Sequence, residues 1–274
     1  MDSYPSPIFP PTSWSMVRDA QHKSGENRLE AMNRCMAAYW RPVFYFIRSK
    51  GYPLHRAEDL TQEFFLHFFL GEDGKPDEKQ DPSKEDGGQE QDAPKRKPAG
   101  FQKADQQKGR FRNFLLTVLV RFLADQSPKR ARKQAAFDQG QVAISALVGD
   151  SERTFEPPHN RTPEQVFMQK WAWSVIEAVR RNLKNWCDSR GRPDWYSMFC
   201  ARLFPEPGSP RITQQALAER LHVTRDQVRQ GLERTEAQFA EFLRAEVTNQ
   251  IGPDDDLDTE IRELQVLLSG GPVG

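Results

Sequence analysis

Apolar residues return every three or four positions along most of this chain, and no stretch shows the period-two alternation of a half-buried strand. Leu29, Met32, Met36, Tyr39 and Trp40 form one such stripe, and Pro42 is expected to break or kink its helix. Helical periodicity resumes at Phe111 and runs to about Asp125. A third stripe, Ala172, Ile176, Val179, Leu183 and Trp186, belongs to a helix expected to begin at Pro163 with Thr162 as its N-cap. The expected fold class is therefore all-α, and 274 residues suggest about two helical domains.

The interruptions suggest the boundaries. Residues 1–13 carry four prolines and read as an irregular leader. Residues 71–100 contain no Val, Ile, Leu, Met or aromatic residue but nine acids and six bases, so burial cannot offset the entropy of ordering them. This stretch is expected to be a disordered insert in a first domain spanning 14–126. Residues 127–162, with Pro157-Pro158 and a basic run, read as a linker; 163–250 form a second domain, and 251–274, around Asp254-Asp255-Asp256, an acidic tail.

Lys and Arg (39) balance Asp and Glu (39), which excludes a uniformly basic nucleic-acid coat and places any charge-driven role in local segregation. Cys35, Cys187 and Cys200 form no CxxC pair and fit neither a disulfide framework nor a zinc site, so a reducing compartment is expected. Phe114 to Val120, the longest apolar stretch, falls far short of the ~20 residues of a membrane helix. The N-terminus lacks a basic region followed by an apolar core, so no signal peptide is expected and the protein reads as cytoplasmic, without a membrane partner. There is no phosphate-binding glycine loop and no HExxH, and the five histidines are scattered. No catalytic residue, metal site or cofactor is expected, and the chain is not read as an enzyme.

Three constellations carry the functional reading. In residues 56–70, Ala57, Leu60, Phe64 and Phe68 share one helix face with Phe65 and Phe69 at its flank, while Asp59, Gln62, Glu63, Leu66 and Leu70 lie opposite. Two acids beside two leucines suit a docking surface for a basic and apolar partner, though a neighbouring helix covering Leu66 and Leu70 fits as well. In residues 108–133, Lys108, Arg110, Arg112, Arg121, Lys129, Arg130, Arg132 and Lys133 face only Asp125, a local net of +7 that is the footprint of phosphate contact or else a solvated face. Asn113, Thr117, Arg121 and Ala124 form a small polar face there. Residues 212–239 have helix-turn-helix spacing: Thr213 caps a first helix, Leu221-His222-Val223 turns, and Thr224 with Gln227 forms a capping box for a second helix whose core face is Val228, Leu232 and Phe239. Ordinary helical hairpins carry the same caps. Arg225, Arg229, Gln230 and Arg234 point away from that core, as a recognition helix requires.

With these features in place, the chain resembles bacterial sigma factors of the extracytoplasmic-function type. YWRPVFYFIRSKGYPLHRAEDLTQEFFLHFF (39–69) is similar to that family's first block, KGRFRNFLLTVLVRFLADQ (108–126) to the next, and the helix-turn-helix to the last domain. PTSWSMV, RTPEQVFMQKWAW (161–173) and the acidic tail resemble a subgroup of longer sigma-like proteins. The resemblance implies a region 2-like bundle and a region 4-like helix-turn-helix domain. It implies docking on the beta-prime subunit of core RNA polymerase through Asp59, Gln62, Glu63 and Leu66. Contact with the minus-ten promoter element would run through Arg110, Arg112, Asn113, Thr117, Arg121, Lys129, Arg130, Arg132 and Lys133. Contact with the upstream minus-thirty-five element would run through Thr224, Arg225, Gln227, Arg229, Gln230 and Arg234. An anti-sigma or other regulatory protein is a further candidate partner. The chain departs from the family at Gly231, where an Arg is usual, and at Glu236-Ala237-Gln238, where bases often follow. A helix-turn-helix regulator acting without polymerase, and a sigma-like adaptor that docks without directing transcription, are the alternatives.

Overall fold

The computed structural model describes Trp14, Val17, Arg18, Gln21 and residues 26–71, 100–125, 148–205 and 212–269. The leader, insert positions 72–99, position 126 and linker positions 127–147 with Lys129, Arg130, Arg132 and Lys133 lie outside the described residues. Among the described residues every regular element is helical, and no helix is long and apolar enough to cross a membrane. The elements are α1 (Glu26–Ser49), α2 (Leu54–Leu70), α3 (Phe111–Ala124), the single turn α4 (Asp150–Arg153), α5 (Pro163–Ser189), α6 (Pro193–Leu203), α7 (Gln214–Leu221), α8 (Arg225–Thr248) and α9 (Leu257–Ser269). Two short 3-10 turns, Gly100–Lys103 and Gln106–Lys108, precede α3.

α1 is the central post. It runs unbroken through Pro42, so the expected break does not occur, and Leu29 at the head of its stripe is exposed. Proline forfeits one helical hydrogen bond and strains the preceding turn, about 3 kcal/mol. Burial of Val43, Phe44, Tyr45, Phe46 and Ile47 just beyond it offsets that cost, because α1 is covered on nearly every side there.

Two apolar cores form, and they do not follow the expected chain segments. The first gathers α1, α2, α3, Val166 to Ile176 of α5, Val247 of α8, and Leu264 and Leu267 of α9. The second gathers Leu183 and Cys187 of α5 with Trp195, Met198 and Phe199 of α6, Leu217 of α7, and Val228 and Leu232 of α8. α5 and α8 pass through both, and Phe204 and Phe239 touch both. The described end of the expected linker is packed: Glu152 is buried beside Arg41 (3.2 Å), and Arg48 donates to the Phe155 carbonyl (2.9 Å). The expected acidic tail is largely the helix α9. Its acids conceal an amphipathic stripe of Leu257, Ile261, Leu264 and Leu268, which packs on the first core.

The caps form as their spacing predicts. Thr162 accepts from the Gln165 amide ahead of Pro163, Thr213 from Ala216, and Thr224 from Gln227, whose side chain returns to the Thr224 amide at 2.8 Å. α8 continues nine residues past the expected end, through Thr248, because its far end is buried in the first core.

Gly231 has a structural reason. α6 crosses α8 there, and a Cβ would stand 3.0 Å from Trp195 Cδ1 and 3.2 Å from Met198 Sδ. Glycine within a helix costs about 1 kcal/mol relative to alanine, and the close crossing outweighs that propensity. We expect Gly231→Val to lower stability by about 1–3 kcal/mol in urea unfolding and Gly231→Ala to give no gain. A gain of about 1 kcal/mol from Gly231→Ala would show that the crossing has room.

Candidate nucleic-acid interface

α2 presents the surface that the sequence nominates for docking. Its inner residues Ala57, Leu60, Phe64, Phe65 and Phe68 are buried, as expected. Asp59 is exposed, Gln62 and Leu66 are half-buried, and Leu70 is covered. Glu63 is half-buried and pairs with Arg56 at 3.1 Å. One of the two outer leucines is thus part of the core, and the edge that remains is Asp59, Gln62, Glu63 and Leu66.

α3 divides the expected minus-ten residues into two groups. Asn113, Thr117, Arg121 and Ala124 are exposed on one face, with Val120 beside them. Arg110 and Arg112 are not open to solvent phosphate. Arg112 is buried, its guanidinium 4.1 Å from the ring centre of Trp171, with Glu260 paired to Nη1 and Glu263 at 3.4 Å from Nη2. Arg110 pairs with Glu263, lies 3.0 Å from Glu260 and reaches Asp255 at 3.9 Å. Burial alone would depress Arg110. The hydrogen bond to Glu263 and the charges of Glu260, Glu263 and Asp255 outweigh it and raise the affinity of the guanidinium for its proton. The expected phosphate contact through Arg112 is therefore corrected to a core role: its charge is spent on a carboxylate that is itself fully buried. Nothing near Arg112 in the sequence announces this, because both acids come from the far end of the chain.

Under Arg112 a polar chain continues inward. Trp171 Nε1 donates to Gln250 Oε1 (2.8 Å), and Gln250 Nε2 donates to Glu246 Oε1 (3.0 Å). Burial pushes the Glu246 carboxyl up to about 7, opposed only by the hydrogen bond from Gln250. The folded state therefore holds a proton that the unfolded chain releases near pH 4.5, so stability falls as pH rises from about 4.5 to about 7 and stays reduced above. The whole effect is about 3 kcal/mol at 1.36 kcal/mol per unit.

At the helix-turn-helix, His222 ends α7 in the left-handed region (φ 54°) and turns the chain into the capped start of α8. Thr224, Arg225, Gln227, Arg229 and Gln230 are exposed. Arg229 is held by Glu233 at 2.9 Å and Asp226 at 3.7 Å. Arg234 stands apart from these, 5.2 Å from the Trp195 ring, on a ledge that sequence reasoning missed. Arg190 lies 4.1 Å from the ring of Trp186 and Arg192 4.4 Å from that of Trp195, so the α5–α6 turn adds cations beside the motif. The Arg-Gly-Arg run at 190–192 was the available signal.

Among the described residues no group of His, Cys, Asp and Glu is placed to hold a metal ion. No protein-family model matches the chain, and neither a curated protein nor a solved structure matches it.

Two stability outcomes follow from this geometry. Glu246→Gln should remove the loss of stability between about pH 4.5 and 7, read as the urea midpoint against pH, and raise stability at pH 8; a parallel pH profile in the variant would refute the buried-proton assignment. Arg112→Ala should cost about 3–5 kcal/mol by removing the buried partner of Glu260 and leaving it only Arg110, whereas Arg121→Ala on the exposed face should cost under about 0.5 kcal/mol.

Proposed function

We propose that the chain is a sigma-type initiation factor: it docks on core RNA polymerase through α2 and contacts promoter DNA through the exposed face of α3 and the start of α8. The observation that carries this reading is the outer edge of α2, where Asp59, Gln62 and Glu63 stand beside half-buried Leu66 on a helix whose other face is fixed in the core. A fixed acidic and apolar edge has the chemistry to accept a basic helical partner. The capped helix-turn-helix and the polar strip Asn113, Thr117 and Arg121 supply the two nucleic-acid surfaces the resemblance calls for. On this reading the chain acts by binding, without chemistry of its own.

One observation favours a second reading, the adaptor that docks without reading sequence. The outer face of α8 carries Asp226, Gln230, Glu233 and Ala237, and of its exposed cations Arg229 is paired with both of these acids. The two readings separate in transcription from a cognate promoter whose upstream element has been scrambled. A reading helix loses output and an adaptor does not.

Docking is tested first. Asp59→Lys/Glu63→Lys should abolish capture by core polymerase, since losing charge pairs at an interface typically costs about 2–5 kcal/mol. Folding should hold, because the Arg56–Glu63 pair that is also lost is a partly exposed one worth about 1 kcal/mol or less. Wild-type capture by a variant with native helicity would remove this reading.

A further inference from the structure

α9 meets the start of α3 through two layers of charge. The inner layer is Arg112 with Glu260, both withdrawn from solvent. The outer layer is Arg110, whose side chain is 20% exposed, with Glu263 (34%) and Asp255 (28%) at the rim. The layers share contacts, since Arg110 also lies 3.0 Å from Glu260 and Glu263 lies 3.4 Å from Arg112. The turn between α8 and α9 comes very close: Gln106 Nε2 donates to the Ile251 carbonyl at 3.1 Å, and a Cβ at Gly252 would stand 3.1 Å from the Gln106 carbonyl. Asp255 accepts from the Gly252 amide at 2.8 Å, which fixes the turn that delivers the carboxylates. The first turn of α3 has no acidic residue of its own, so its amide groups and Arg110 together favour an anion.

We propose that the outer layer is an autoinhibitory latch, in which Glu263 and Asp255 hold Arg110 where a nucleic-acid phosphate would otherwise sit and are displaced when α3 engages DNA. The inference rests on the DNA reading of α3. The two layers differ in the way such a device requires. Partly exposed pairs are weak and screened by salt, so the outer layer opens readily. A buried pair stripped of one partner is strongly destabilising, so Arg112 and Glu260 keep α9 docked, with Arg110 still beside Glu260, while Arg110 exchanges only Glu263 and Asp255. A phosphate competes well for Arg110 because a guanidinium binds it in the same bidentate manner as a carboxylate.

The test uses the full chain and a nonspecific duplex of about twenty base pairs, with anisotropy titrations across a salt series. Asp255→Asn/Glu263→Gln should bind several-fold more tightly at low salt, with the log–log salt slope steeper by about one unit and the melting temperature little changed. Adding Arg110→Ala to that variant should remove the gain. Equal affinity for wild type and variant overturns the latch. So does a gain that survives Arg110→Ala, since net charge alone then explains it. Should no form bind duplex, capture on core polymerase is the discriminator. Capture retained overturns the latch and leaves docking standing, while capture lost removes the functional reading itself.

Discussion

Burying Arg112 against Trp171 commits much of the remaining structure. A guanidinium keeps its charge at any pH a protein meets, so a carboxylate must be brought to it. None is near in sequence, and the fold supplies Glu260 from α9. That places α9 across α3 and α5, fixes the α8–α9 turn against the 3-10 segment, and sends the Trp171 indole toward Gln250 and Glu246. One cation thus sets the relative positions of α3, α5, α8 and α9. Its pairing rests on charge proximity more than on aligned hydrogen bonds, since Arg112 Nη1 and both Glu260 oxygens lack a hydrogen-bond partner of good geometry.

The same dependence governs what α8 can do. Its first turns carry the helix-turn-helix and its last turns lie in the core that contains Arg112. Twenty-four residues at 1.5 Å each make it about 36 Å long, a stiff arm between the two ends. Phe239, at mid-length, packs on Phe199 (5.0 Å) and Phe204 (6.2 Å) and touches both cores, so neither end moves freely of the other.

What could be read from the sequence was local. The inner face of α2 and the caps at Thr162, Thr213 and Thr224 depend on residues within about one or two turns, and they stand as spacing predicts. The helix α9 was hidden because Asp254 to Asp256 drew attention to charge, while Leu257, Ile261, Leu264 and Leu268 behind them kept helical spacing. Arg112 looked like part of a basic surface because its partners lie far along the chain, and a net charge over a window carries no information about depth. Gly231 read only as a departure from the family's usual Arg, since only the crossing of α6 reveals what its missing side chain admits. The division into cores was illegible for a related reason. α5 carries one continuous apolar stripe, and nothing in a stripe says that its two halves meet different neighbours.

On the initiation reading, the two DNA-facing surfaces must serve promoter elements whose names set them about 25 base pairs apart, roughly 85 Å along a duplex rising ~3.4 Å per pair. An arm of about 36 Å that ties the helix-turn-helix to the core holding α3 is too short to span that distance. Reading both elements therefore needs the unit α5–α9 to leave α1–α3. The seam to be opened buries Val166, Phe167, Trp171, Ala172, Val175 and Ile176 of α5 and also holds the Arg112–Glu260 pair. At roughly 1.5–3 kcal/mol per large side chain exposed, opening costs on the order of 10 kcal/mol, beyond what the release of Arg110 supplies. Polymerase would have to provide that energy through contacts made only in the open form. On that reading, without such contacts the chain would engage DNA through one surface at a time, and docking through α2, which needs no rearrangement, would be the activity the compact form leaves intact.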